Sequence, residues 1–102
     1  MTAKAKNRVL ISLHDHIGRF AEDKDKAKNI REKILWPQIK AGNKIELDFT
    51  KVDDATQSFI HALLSKLIRE TQGEVLDFVY FKNCNETVKE IINMVVDYML
   101  GD

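Results

Sequence analysis

The chain has 102 residues, 44% of them hydrophobic and 31% charged, the balance of an ordinary soluble domain with one core. Sixteen Lys and Arg offset sixteen Asp and Glu, so net charge gives no reason to expect nucleic acid or an anionic membrane as partner. A single cysteine, Cys84, excludes an internal disulfide and fits a reducing compartment.

No apolar run approaches the ~20 residues of a membrane span, and the N-terminal MTAKAKNR lacks the apolar core of a signal peptide. The expectation is a single domain over residues 1–102, cytoplasmic, with residues 1–7 polar and frayed. The run RVLISL, residues 8–13, is rich in β-branched and aliphatic side chains and reads as a first strand. The segment HDHIGRFAEDKD is irregular, with a turn at Gly18 and a short second strand over residues 17–21. A helix begins near Asp23, capped by the carboxylate of Asp23 or Asp25. Ala27, Ile30, Ile34 and Leu35 supply its apolar face at spacings of three and four. Trp36-Pro37 is expected to end or kink it, because proline disfavours helical backbone in the residue before it. Gln38 to Lys40 add a turn, and Gly42 stops it. The basic residues between Lys24 and Lys40, interspersed with acids, read as a solvated helix face.

Lys44 to Phe49 is the second clear strand, with Ile45, Leu47 and Phe49 alternating. The loop TKVDDATQ leads into a helix from about Ser58 to Ile68. Asp54 and Gln57 have the spacing of a capping box, and Thr56 is a competing cap. Phe59, Leu63 and Leu67 form one apolar row and Ile60, Leu64 and Ile68 the next, a stripe wide enough for deep burial. Val75 to Phe81 is nearly continuously apolar and reads as a central strand covered on both faces. The last helix is capped by Asn83 or Thr87 and carries Val88, Ile91, Ile92, Val95 and Met99 on one face. The order β, (β), α, β, α, β, α predicts an α/β fold: a mostly parallel sheet of three to four strands with about three helices.

In such folds ligands and partners gather where strand ends face helix N-termini. Here that is the turn from Asp48 to Ser58. Asp48, Asp53 and Asp54 cluster there, but a hard cation wants about six oxygens, and hydrogen bonding by Asp48 and capping by Asp54 account for two of them. His14-Asp15-His16 would place two imidazoles on one face of a strand, the start of a metal site that still needs further ligands; a strand-end turn is the favoured reading. Cys84 precedes a helix, where a thiol pKa can fall, yet no paired base accompanies it. Trp36 is read as packing over the sheet edge ahead of anchoring a partner. No Gly-rich phosphate loop, Ser-His-Asp order or paired-carboxylate motif occurs, so no catalytic residue, metal or cofactor is predicted.

Residues 47–64, LDFTKVDDATQSFIHALL, resemble the STAS-like domains, relatives of the anti-sigma-factor antagonists and of the cytoplasmic domains of sulfate transporters. The flanking IREKILWPQIKAGNKIELDF and YFKNCNETVKEIINMV are similar to the same group. The resemblance spans roughly residues 8–100. It implies a non-catalytic regulatory module whose partner is a protein, an ATPase-type kinase or anti-sigma-like regulator; the chain itself is expected to be a monomer or homodimer. The implied contact surface is Asp53, Asp54, Thr56, Gln57 and Ser58. In the antagonists a serine at this helix start is phosphorylated, in the pattern Asp-Ser-Ser-Gly. The best alignment sets Thr56 at the Asp, Gln57 at the phosphorylated Ser, Ser58 at the second Ser and Phe59 at the Gly. Glutamine takes no phosphate, so the switch is absent or altered. The alternative from the residues alone is a small-ligand binder or minor enzyme using the strand-end crevice between Asp48 and Ser58.

Overall fold

Three short strands with alternating apolar side chains form the centre of the fold, as given by a computed structural model that describes residues 7–101. The expected fraying of residues 1–7 thus falls, Asn7 apart, outside the described residues. Strand β1 (Arg8–Ser12) pairs in parallel with β3 (Lys44–Asp48), and β3 with β5 (Val79–Lys82), giving the order β1-β3-β5. A separate parallel pair joins β2 (Phe20–Ala21) to β4 (Asp54–Ala55). The expected second strand exists, but it extends this small ribbon and not the main sheet.

Each strand sends alternate residues to opposite faces. Ile11, Leu13, Ile45, Leu47, Phe49 and Val79 are buried on the inner face. The outer face is polar. Arg8 reaches Glu46 at 3.0 Å, Lys82 stands 4.0 Å from it, and the Arg8 and Lys44 cations lie 5.0 and 5.5 Å from the Tyr80 ring centroid. Leu10, on the same face, is 63% exposed. A parallel sheet ordinarily has both faces covered; this one alternates as a one-sided sheet does.

The helices explain the inner face. A one-turn helix α1 (His14–Ile17) follows β1. Then α2 (Lys24–Ile30) runs through a π-helical turn (Arg31–Leu35) into α3 (Trp36–Lys40). Helix α4 (Gln57–Thr71) packs between α2 and α5 (Glu86–Met99). Its Phe59, Ile60, Leu63, Leu64, Leu67 and Ile68 are all buried, so the two apolar rows lie where expected. Around them one hydrophobic cluster runs from Ile11 to Val95.

The structure decides several local expectations. His14-Asp15-His16 forms the favoured strand-end turn, the one-turn helix α1 after β1; residues two apart on a helix point roughly 200° apart, so the two imidazoles do not share a face as the metal reading required. Trp36-Pro37 does not end the helix. The widened turn, in which the Trp36 N–H donates to the Arg31 carbonyl five residues back, absorbs the break, and Pro37 sits in the first turn of α3 where its missing N–H costs little. The same extra residue turns Leu35 fully into the core beside Ala27 and Ile30, while Ile34 is only partly buried.

Val75 to Phe81 is not one strand: Glu74–Asp77 is a 3₁₀ turn and only Val79–Lys82 pairs, at the sheet edge. The chain arrives there through two left-handed residues, Gln72 (φ 54°) and Gly73 (φ 87°), which end α4, and the 3₁₀ turn takes up Glu74–Asp77 before pairing with β3 begins. At α4 the cap is Thr56, whose Oγ1 accepts from the Phe59 N–H at 3.0 Å; Asp54 lies in β4 and makes no capping box. At α5 the cap is Asn85, accepting from Val88 N–H at 2.8 Å, in place of Asn83 or Thr87. Of the two carboxylates offered for α2, Asp23 is the one that accepts, from the Asp25 and Lys26 N–H groups.

Candidate functional site

A cap fixes where a helix starts and therefore which residues its first turn exposes. With Thr56 as cap, Gln57 and Ser58 are the first two helical residues and both are exposed, while Phe59 turns fully into the core. The Thr56 hydroxyl satisfies Phe59, and among the described residues the N–H groups of Gln57 and Ser58 have no partner. This end of α4 is therefore the positive pole of the helix dipole with free donors.

The two aspartates before it are engaged elsewhere. Asp53 accepts from the Arg19 guanidinium at 2.7 Å, and its carbonyl accepts from the Asn85 side-chain amide at 2.8 Å. It thus ties the β2–β4 ribbon to the start of α5. Asp54 pairs across to Phe20 in the ribbon. The five predicted site residues are all exposed, with buried Ala55 between Asp54 and Thr56; Gln57 and Ser58 border one cavity, and Asp53 a separate one with Arg19 and Lys51.

That cavity is a groove of about 500 Å³ between α2, α4 and α5. From the α2 side it is lined by Lys24, Lys28 and Arg31, spaced four and three so that they share one helix face. From α4 come Gln57, Ser58, His61, Ala62 and Ser65, and from α5 Val95 and Tyr98. No Asp or Glu is among the described residues lining it. Arg31 is pinned: its Nη1 donates to the Ala62 carbonyl at 2.9 Å and its Nε to Glu32 at 2.8 Å. Glu32 also takes Lys66 at 3.2 Å, and hydrogen bonds from Arg31 and then Lys66 hold its carboxyl below the ordinary range. Lys24 and Lys28 form no ion pair among the described residues. The His61 and Tyr98 rings lie 6.5 Å apart at 55°.

The strand-end crevice is differently built. Asp48 Oδ1 accepts from the Thr50 hydroxyl at 2.6 Å, the Thr50 N–H at 2.9 Å and the Asn83 amide at 3.0 Å. Those bonds, the Thr50 hydroxyl foremost, hold the Asp48 carboxyl below its ordinary range. It is a tie between β3, its loop and the turn after β5. Beside it a cavity of about 220 Å³ is lined by Phe81, Asn83, Cys84 and three residues of α5. Burial pushes the Cys84 thiol up from its ordinary value, with nearby Lys89 opposing and Asp48 reinforcing the rise. A lowered thiol at this helix start is therefore not what the fold produces. Among the described residues no three His, Cys, Asp or Glu come together as metal ligands. Trp36 is partly buried against the core with Lys40 5.6 Å from its ring.

Sequence reasoning missed Lys24, Lys28, Arg31, His61, Ser65 and Tyr98. Two signals were present. One is the 24-28-31 spacing of cations. The other is the stripe Ser58, His61, Ala62, Ser65 along α4, small or polar at helical spacing between its apolar rows. Neither signal says that the two stripes meet, which depends on how α2 packs on α4.

A family model described as a STAS-like domain of unknown function (DUF4325) matches residues 26–89. No curated protein and no solved structure matches the chain. No helix among the described residues is long and apolar enough to cross a membrane.

Proposed function

The chain belongs to the STAS-like family, and from that membership we propose that it is a non-catalytic regulatory module that binds a protein partner through the first turn of α4. The observation that carries the reading is the contrast along this helix. Phe59 and the rows behind it are locked in the core, whereas Thr56, Gln57 and Ser58 are exposed at its tip. A polar turn held on a rigid, buried element offers a partner a preformed surface and little ordering cost. Asp53 and Asp54 form its acidic rim. The partner class suggested by the family resemblance is an ATPase-type kinase or anti-sigma-like regulator in the cytoplasm. With Gln57 at the position of the family's phosphorylated serine and Thr56 engaged in the cap, Ser58 is the hydroxyl left for modification.

The test is a calorimetric titration of the protein with a histidine-kinase-type ATPase encoded beside it, repeated for Gln57→Asp and Ser58→Asp. Both positions are exposed, so the variants should retain the native circular dichroism spectrum. The expected result is measurable binding by the native chain and a loss of about tenfold or more in each variant, the effect of one buried or repulsive charge at an interface. Binding unchanged in both variants would remove the proposed surface, and absence of binding by the native chain would remove the partner class.

A further inference from the structure

Among the polar residues that line the groove, Ser65 is the buried one. Ser65 is only 7% exposed, lines the cavity, and among the described residues has no hydrogen-bond partner. A serine in mid-helix commonly bonds back to the carbonyl four residues earlier, as Thr71 does to Leu67 at 2.7 Å; Ser65 does not. Ser65 is nine-tenths buried as a residue, yet its hydroxyl oxygen is not an enclosed one, as Asn43 Oδ1 is, and opens onto the cavity as a donor and acceptor that a ligand can reach.

The walls say which ligand. Lys24 and Lys28 enter from α2 with no acid opposing them, and the unpartnered N–H groups of Gln57 and Ser58 stand at the positive end of α4. Arg31 spends two of its five donors on Glu32 and Ala62, which holds the guanidinium in place and leaves three N–H groups. With the two point-charge ammonium groups, the hydroxyls and the backbone donors, it makes a donor set that suits a tetrahedral dianion. A volume of about 500 Å³ exceeds what a free anion needs and falls within the range of small-molecule sites. Beyond the cations the wall is Val95 and the ring of Tyr98, which is 72% exposed and tilted against His61.

We propose that the groove between α2, α4 and α5 binds a small phosphorylated molecule, with its phosphate on Lys24, Lys28 and Ser58, its body on Val95 and Tyr98, and a polar group reaching Ser65. This goes beyond the interaction reading and does not depend on it, because the site needs no protein partner.

The experiment uses the purified chain and phenyl phosphate as probe, followed by backbone amide chemical shifts. Phenol serves as the uncharged comparator. The expected result is saturable shifts at Gln57, Ser58 and Ser65 with phenyl phosphate at millimolar concentration and none with phenol. The double variant Lys24→Gln/Lys28→Gln, whose sites are exposed and leave the core untouched, should bind about tenfold or more weakly, the loss of charge-assisted hydrogen bonds. Ser65→Ala should bind phenyl phosphate, which has no polar group for Ser65, with unchanged affinity, and a loss of binding would move the phosphate from Ser58 to Ser65 and overturn the placement. Absence of saturable shifts at these amides, equal shifts with phenol, or full affinity in the double lysine variant would each overturn the assignment. None of these outcomes touches the partner titration, so the two readings fail separately.

Discussion

Asp48 shows how one side chain can look like a functional acid and work as a tie. It sits at the end of β3, where a ligand-binding carboxylate is expected, yet one of its oxygens accepts three hydrogen bonds from Thr50 and Asn83. Those bonds favour the charged form, so its folded pKa lies below its unfolded value. The linkage has a definite sign. The stabilisation is complete above the unfolded carboxylate value and is lost as pH falls through the lower, folded value. The stability difference between the native chain and Asp48→Asn, read from urea midpoints at a series of pH values, should therefore be largest near neutrality and shrink toward strongly acid pH. A difference that stays constant with pH would mean that the charge of Asp48 is not what the bonds stabilise.

Among the elements, α4 is the one on which the others converge, and its start decides what the protein presents. The chain offers two incompatible caps, Asp54 and Thr56, and each would expose a different turn. The fold selects Thr56, because Asp54 and Ala55 are drawn into the β2–β4 pair. Thr56→Ala should then cost about 1 kcal/mol, and Asp54→Ala less than about 0.5 kcal/mol, as for an ordinary surface change. Urea denaturation of the two variants checks this, and the reverse order would restore the Asp54 cap. The π-helical turn is the second element-scale decision. A straight helix would point Ile34 inward, whereas the extra residue rotates Leu35 into that place and lets Pro37 follow without a break. It also places Arg31, at the start of the turn, against the Ala62 carbonyl, and so forms one end of the groove.

At the scale of the molecule, the helices cover one face of a three-stranded parallel sheet and the other face is built from charges over Tyr80. The strand patterns predict unequal sensitivity of neighbouring residues. Leu10→Lys, on the outer face, should change stability by less than about 0.5 kcal/mol. Ile11→Ala, one residue along and buried, should cost about 2–5 kcal/mol. Guanidinium unfolding of both variants compares the faces directly, and a large loss from Leu10→Lys would mean that the outer face is packed.

The sequence by itself determined the α/β alternation, the β1 and β3 strands, the burial of α4 and the STAS-like relationship, because each rests on periodicity or on a contiguous motif. Ile45, Leu47 and Phe49 alternate, and Phe59, Leu63 and Leu67 recur at helical spacing, whatever surrounds them. Tertiary structure alone decided the rest. A nearly continuous apolar run such as Val75 to Phe81 fits a 3₁₀ turn or a strand equally well until pairing with β3 picks out Val79–Lys82 as the strand. Which of two caps is used depends on whether a neighbouring strand claims one of them. The groove is the clearest case. Its cations and its free serine are 31 or more residues apart, as Arg31 and Ala62 are, and each stripe by itself reads as a solvated or small-residue helix face. Only the packing of α2 and α5 on either side of α4 puts positive charge and the Ser65 hydroxyl around one cavity, and no local pattern encodes a distance between helices.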